Sequence, residues 1–260
     1  LPSQDNISGK LYIVGAGPGN LEQMTEKAKN ALLASDYIIG NDSYLVPLMP
    51  LIGDRTVIKS SMGKEVDRAK RSIELAESSV VSIVSGGDPG VYGMAGIVLE
   101  VLEKSGKEID VEVIPGVTAA NAAASLLGSP LSGDFAVISL SDLLVPIEVI
   151  EKRLHASFSM GIPVVLYNPK SRGRPHNLAL AIEIVRKYRN DETPVGVVKN
   201  AYREGEETIV TTLGNLETIY EQVDMHSTVI IGGNESRLWR MGNNVKGIIT
   251  PRGYHRKYVY

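Results

Sequence analysis

The chain contains no cysteine. Disulfides, thiolate metal sites, cysteine-held iron–sulfur clusters and cysteine nucleophiles are therefore excluded, and a cytoplasmic setting is expected. Aromatic residues make up only 5%, with Trp239 the one tryptophan and just two phenylalanines, so a core must come from Val, Ile, Leu, Ala and Met. No apolar run approaches the roughly 20 residues that cross a bilayer. The polar first ten residues read as lacking a signal-type apolar segment. Histidine is scarce too: His155, His176, His226 and His255 include no i, i+4 pair and no H-E-x-x-H, so no metal site is expected. Neither a G-x-S-x-G elbow nor a Walker-type phosphate loop occurs, which disfavours serine hydrolysis and P-loop phosphoryl transfer. A net charge of −3 points to neither a nucleic-acid nor a membrane partner; an anionic ligand would need local basic clusters.

What is present is a repeating strand–helix pattern in a chain of 260 residues, 43% hydrophobic and 22% charged, enough for one large domain or two ordinary ones. Short apolar runs at 11–14, 37–40, 80–84 and 111–114 read as buried strands. Helical spacing over 24–33, 65–77 and the segment holding Met94, Ile97, Val98, Val101 and Leu102 alternates with them, as in a helix-covered, mostly parallel sheet. Beyond residue 115 the character changes. Strands at 135–140, 163–167, 195–201, 208–213 and 228–232 include a pair separated by a turn at Arg203 to Glu207, so the second sheet is expected to be mixed. The chain therefore divides into an N-terminal α/β domain, 1–115, and a C-terminal α/β domain, 116–260, with a ligand cleft between them.

The informative loops all follow strands. After the 80–84 run comes Ser85-Gly86-Gly87-Asp88-Pro89-Gly90-Val91-Tyr92-Gly93, and in open α/β sheets small ligands bind at such carboxyl ends. Gly15-Ala16-Gly17-Pro18-Gly19-Asn20 invites a dinucleotide reading, but Asn20 stands where G-x-G-x-x-G needs glycine, and Pro18 removes an N–H from the would-be phosphate cradle. With Pro115 to Ala119 and Lys199 to Ala201, these small-residue loops suit a compact, polar, weakly anionic ligand such as a nucleoside-containing cofactor. A sulfonium would favour carbonyl acceptors over basic side chains. A tight turn without a ligand, a non-catalytic nucleotide sensor and, more weakly, a dinucleotide oxidoreductase remain the competing readings.

At three of these loops and at the end of the 163–167 strand the chain resembles the tetrapyrrole methylase family: Val14 to Gly19, Ser85 to Gly93, Ile114-Pro115-Gly116-Val117-Thr118-Ala119, and Leu166-Tyr167-Asn168-Pro169. Met62-Gly63-Lys64-Glu65, Ser141 to Pro146, Asn168 to Arg172 and Asn200 to Gly205 are similar to the branch acting at carbon 17 of precorrin-3B or cobalt-factor III. One departure is visible: Gly86-Gly87-Asp88-Pro89 stands where that branch often has Ser-Gly-Asp-Ala. Another ring position, or the diphthine or ribosomal-RNA methylating branches, stays the alternative.

The resemblance implies a two-domain α/β homodimer that binds S-adenosylmethionine in the cleft and methylates a corrin precursor with ring contraction. It implies cofactor contacts from Pro18, Gly86, Gly87, Asp88, Val91, Thr118, Ala119, Asn168 and Ala201. Related enzymes carry an acid where Asn41 stands and an essential lysine in the region of Lys64. Asn41 cannot act as a base, so the deprotonation role does not carry over, and the resemblance leaves Lys64 as the catalytic candidate, to contact the macrocycle or to move a proton. Corrin precursors bear many carboxylates, and Lys170, Arg172, Arg174, Lys199 and Arg203 are the candidates to pair with them.

Overall fold

The five residues Leu11, Tyr12, Ile13, Val14 and Gly15 decide the first half. Leu11 and Ile13 point to one face of a sheet and Tyr12 and Val14 to the other, and both faces are apolar, so the strand must be central and helix-covered. A computed structural model describes residues 9–260 except Arg172; the first eight residues and Arg172, one of the expected substrate contacts, lie outside the described residues. Its chain falls into two compact units, Leu1–Ala119 and Ala120–Tyr260, whereas the sequence expectation put the division at 115/116.

In the first unit, β1 (Lys10–Gly15), β2 (Tyr37–Asn41), β3 (Thr56–Ser60), β4 (Val80–Ser85) and β5 (Asp110–Ile114) form one sheet in the order β3-β2-β4-β1-β5. Every pairing is parallel. Helix α1 (Glu26–Ala34) covers one face, packing Ala28, Ala31 and Leu32 against Val14, Ile38 and Val84. Helices α2 (Glu65–Ala76) and α3 (Ala95–Ser105) cover the other, with Ala69, Ile73 and Val98 against Leu11, Ile13 and Ile83. Each fully buried Leu or Ile contributes about 1.5–3 kcal/mol. Thr25 caps α1 by accepting from the Ala28 N–H at 3.1 Å. Asp36 accepts from the Val80 N–H at 2.9 Å and pins β4 beside β2.

This strand order creates a switch point. From β1 the chain returns through α1 to β2 on one side; from the adjacent β4 it leaves through α3 to β5 on the other. The loops after β1 and β4 diverge to opposite faces there, the place where open α/β sheets accept ligands.

In the second unit, helix α4 (Ala119–Leu127) opens the chain and a two-residue strand β6 (Gly128–Ser129) follows. Strands β7 (Ala136–Ser139), β8 (Val164–Tyr167), β9 (Pro194–Lys199), β10 (Glu207–Thr212) and β11 (Ser227–Ile231) run in the order β10-β9-β11-β8-β7. Within this sheet, among the described residues, only β7 and β8 pair in parallel. Helices α5 (Ile147–Ser159) and α6 (Asn177–Val185) cover one face with Leu154, Phe158, Leu178 and Val185. On the other, Leu127 of α4 presses so closely on Gly196 that a Cβ there would lie 2.7 Å from its Cδ2. A hairpin of β12 (Arg237–Met241) and β13 (Asn244–Ile249), absent from the sequence reading, joins β6 in a third sheet. Among the described residues no helix is long and apolar enough to cross a membrane.

Candidate functional site

Three loops meet at the carboxyl end of the first sheet. Gly17 and Gly87 both take positive φ, +71° and +65°, which glycine adopts without cost. The turn lets them exchange two backbone hydrogen bonds: Gly17 N–H to the Gly87 carbonyl at 3.1 Å and Gly87 N–H to the Gly17 carbonyl at 2.8 Å. The β1 and β4 loops are thus stitched together across the switch point. The third loop closes on both. A Cβ on Gly15 would sit 2.6 Å from the Gly116 nitrogen, and one on Gly116 would collide with the Gly87 carbonyl.

Asp88 holds this junction. Its Oδ1 accepts from the Gly90 N–H at 2.8 Å and its Oδ2 from the Gly116 N–H at 3.0 Å, so one carboxylate ties the β4 loop to the β5 loop. The free side of Gly87 faces the Thr118 Cα, the Ala119 nitrogen and the Val117 carbonyl at 3.7–3.9 Å from an added Cβ. Of the expected cofactor contacts, Gly86, Gly87, Asp88, Val91, Thr118 and Ala119 therefore stand on loops that pack together, with Pro18 next to the bridging Gly17. Val91 lies in the same turn, its N–H donating to the Asp88 carbonyl at 3.3 Å. Ser85, not singled out from sequence, accepts from the Met94 N–H at 3.2 Å and fixes the start of α3.

Beside this junction, Asn41 is buried and its Oδ1 accepts from the Ser43 N–H at 2.9 Å and from the Ser43 hydroxyl. It caps the helical turn Asp42–Leu45, which agrees with excluding it as a base. Lys64 stands at the N-terminus of α2, 59% exposed, with its ammonium 3.4 Å from Asp67. Gly63 before it has φ +78°, and its N–H donates to Glu65 Oε1 at 3.1 Å. Burial alone would raise the Glu65 pKa, but the backbone N–H groups of Glu65 and Gly63 and the Arg68 guanidinium outweigh it and hold the carboxyl below its ordinary value. Arg68, missed in the sequence because it sits on a helix rich in charge, is 5% exposed and donates to Ser60 Oγ, the Ser61 carbonyl and Glu65 at 2.8–3.1 Å.

In the second unit, Asn168 follows β8 and Asn200 and Ala201 follow β9. Asn168, Asn200 and Tyr202 have φ of +52°, +49° and +58°, rare for residues with a Cβ and concentrated at functional sites in general. Asn168 Nδ2 donates to Ser139 Oγ at 2.9 Å, and the Asn200 N–H donates to the His226 carbonyl at 3.2 Å. Tyr167 receives the Ala120 N–H on its hydroxyl at 2.7 Å, meeting one of the unpaired amides at the start of α4.

Three of the expected substrate cations, Lys170, Arg174 and Lys199, are already in ion pairs. Lys170 lies 2.9 Å from Glu221 and 4.3 Å from the centre of the Tyr220 ring, Arg174 pairs with Asp142, and Lys199 sits 2.6 Å from Asp224. The Asp224 side-chain hydrogen bond and charge push the Lys199 pKa up. For Asp224, partial burial raises the pKa, but Lys199 and the His226 N–H outweigh it and hold the carboxyl low. Arg203 donates its N–H to the Asn200 carbonyl at 2.8 Å within the β9–β10 turn. Among the described residues, no group of three or more His, Asp or Glu could hold a metal ion.

A doubly covered parallel sheet with glycine loops stitched at its switch point, followed by a mixed sheet with left-handed asparagines at its strand ends, defines a class of α/β proteins. The tetrapyrrole (corrin/porphyrin) methylases match residues 10–217, and the chain belongs to that family. It is 47% identical over 99% of its length to the cobalamin biosynthesis protein CbiHC of Archaeoglobus fulgidus, and spans only 55% of that protein, about half. It is 45% identical over 94% of its length to the probable cobalt-factor III C(17)-methyltransferase of Salmonella typhimurium, of which it covers 99%. Among solved structures, that of the methyltransferase CobJ is similar with a TM-score of 0.83 and 32% identity, covering 94% of this chain and 100% of that one. The uroporphyrin-III C-methyltransferase of Thermus thermophilus, solved with S-adenosyl homocysteine, is similar at a TM-score of 0.67 and 25% identity over 86% of this chain and 97% of that one.

Proposed function

We propose that the chain transfers a methyl group from S-adenosylmethionine to carbon 17 of a precorrin-3B or cobalt-factor III type tetrapyrrole, with ring contraction, in cobalamin synthesis. The observation that carries this reading is the Gly17–Gly87 bridge at the switch point, closed by Gly116 and tied by Asp88. It presents side-chain-free backbone to a ligand and offers no basic side chain of its own, which suits a sulfonium and disfavours a phosphate. Relatives whose names carry the corrin chemistry supply the substrate class.

When bound, S-adenosylmethionine supplies an electrophilic methyl on sulfur. Pro18, Gly86, Gly87, Asp88, Val91, Thr118 and Ala119 would hold the cofactor, and a role for Asn168 and Ala201 toward it rests on the family resemblance. The task of these residues is positioning and exclusion of water, the main levers on an in-line displacement. Asp88 fixes the loops through the Gly90 and Gly116 N–H groups, and its carboxylate keeps acceptor capacity to spare for the cofactor. Lys64 would contact the macrocycle or move a proton. Substrate carboxylates would recruit Lys170, Arg174 and Lys199 by exchange with Glu221, Asp142 and Asp224, while Arg172 and Arg203 keep the role that the resemblance gives them. We place the protein in the cytoplasm as a homodimer on the same ground.

Incubation with labelled S-adenosylmethionine and cobalt-factor III, followed by mass spectrometry, is expected to show one added methyl. Tight binding of S-adenosyl homocysteine without transfer would overturn the substrate, and a calorimetric preference for a nicotinamide nucleotide would overturn the class.

A further inference from the structure

We propose that Arg68 is a positioning residue: its buried guanidinium clamps the 60–64 loop to the sheet so that Lys64 is presented at one fixed point. The inference rests on Lys64 acting toward the macrocycle, as proposed above.

The geometry is specific. Arg68 lies one turn into α2, and its backbone N–H donates to the Lys64 carbonyl at 2.9 Å. Its Nη1 donates to Ser60 Oγ at 2.9 Å and to the Ser61 carbonyl at 2.8 Å, gripping the chain as it leaves β3. Its Nη2 reaches Glu65 Oε1 at 3.1 Å and Met94 Sδ at 3.8 Å. The same Glu65 oxygen takes the Gly63 N–H, so one guanidinium and one carboxylate cinch both ends of the loop. Met94 in turn is held by Ser85 at the end of β4, which joins the lysine loop to the glycine loops through a short run of contacts.

A purely structural role fits this arrangement poorly. A buried charge is expensive to desolvate, and a well-packed apolar residue of similar volume is often as stabilising or more so. Arg68 Nε has no hydrogen-bond partner although it is buried, a further cost. Of its side-chain partners, Ser60 ends β3, Ser61 and Met94 lie in the loops that follow β3 and β4, and only Glu65 belongs to its own helix. Fixing those loops is what the charge achieves. Misplacing a reacting group by about 1 Å can cost on the order of 100-fold in rate.

The test uses the full chain and the variants Arg68→Met, Arg68→Lys and Ser60→Ala. Three quantities are read: affinity for S-adenosyl homocysteine by calorimetry, amide exchange at Gly63 with tryptic cleavage after Lys64, and single-turnover methyl transfer from labelled S-adenosylmethionine to cobalt-factor III. Arg68→Met is expected to speed exchange about tenfold and to slow transfer about 10- to 100-fold, with cofactor affinity unchanged. Arg68→Lys should recover part of both, and Ser60→Ala should show the same changes more weakly. Unchanged exchange and cleavage in Arg68→Met would overturn the proposal. So would a cofactor affinity that falls in step with the rate, because that marks general loosening. If Arg68→Met fails to fold, Ser60→Ala decides alone, and unaltered exchange in it overturns the clamp. Absence of transfer in the parent would defeat the corrin reading only, since exchange still judges Arg68 without substrate.

Discussion

The two units solve the same problem, a polar strand end that must stay open, with different chemistry. In the first, glycine does most of the work, and Tyr92 of the β4 loop, at φ +53°, is the one non-glycine at positive φ among its described residues. Gly17 and Gly87 adopt left-handed backbone without strain, bridge two loops by paired hydrogen bonds, and let Gly116 pack against a carbonyl. In the second, residues with side chains occupy left-handed conformations, and Asn168 and Asn200 spend their amides on Ser139 and Gly205 to hold them there. The first design fixes backbone against backbone and leaves no room for an added atom at Gly15 or Gly116. The second keeps polar side chains at the rim and fixes them by hydrogen bonds and ion pairs, which can exchange. Rigidity belongs to the glycine junction, adaptability to the asparagine and lysine rim.

The largest expected effect breaks the first design. Gly116→Ala places a methyl against the Gly87 carbonyl, and because backbone cannot rotate away, we expect about 3 kcal/mol of destabilisation in urea unfolding. Loss of S-adenosyl homocysteine binding should accompany it. Asp88→Ala is next: two N–H groups, of Gly90 and Gly116, lose their acceptor, at about 1–3 kcal/mol. Cofactor affinity should fall with it even though the carboxylate is engaged within the loops. Asp88→Asn, which keeps one acceptor oxygen, should lose less of both. Wild-type-like stability in Asp88→Ala would show that the loops hold without their crosslink.

Much of this contrast was legible in the residues. Apolar runs fixed where strands lie, because a helix-covered parallel strand has to be apolar on both faces, and the glycine-rich segments after them marked the junction. The mutual bridge was not legible: neither Gly17 nor Gly87 names its partner, and only the strand order sets β1 beside β4. Arg68 was hidden for the same reason, since a helix pattern shows charge and spacing but not which strand end the charge reaches. The expected cations were visible as a basic loop, while their partners Glu221, Asp142 and Asp224 stand 51, 32 and 25 positions away along the chain. The β12–β13 hairpin did carry a signal, Gly242-Asn243 between two short runs. Arg237, Arg240 and Lys246 in those runs obscured its strands.

The second design is sharpened by Asn168. Asn168→Ala keeps the left-handed backbone but loses the hydrogen bond to Ser139, and should cost about 1 kcal/mol. Asn168→Gly loses the same hydrogen bond without the Cβ, so it should be closer to the parent in stability. If Ala and Gly behave alike in urea unfolding, the left-handed conformation costs little and the amide bond is what matters.

The smallest expected effect concerns the exchangeable rim and is read by pH. Lys199 has its pKa raised above 10.5 by Asp224, so its contribution to stability is complete below the unfolded value and disappears as pH climbs through the folded one. Asp224 has its pKa lowered from 3.8, so its contribution is complete above that value and disappears as pH falls through the lower folded one. The pair is therefore at full strength between these limits. Lys199→Met should remove the alkaline loss and the acid-side benefit together, leaving a flatter melting temperature across both windows. Salt should weaken the parent pair, which is partly solvated, and bring the parent toward the variant. A bound polycarboxylate that takes Lys199 from Asp224 should return the Asp224 pKa toward its ordinary value, visible by NMR titration. The glycine junction, which has no ion pair to exchange, should show no such response.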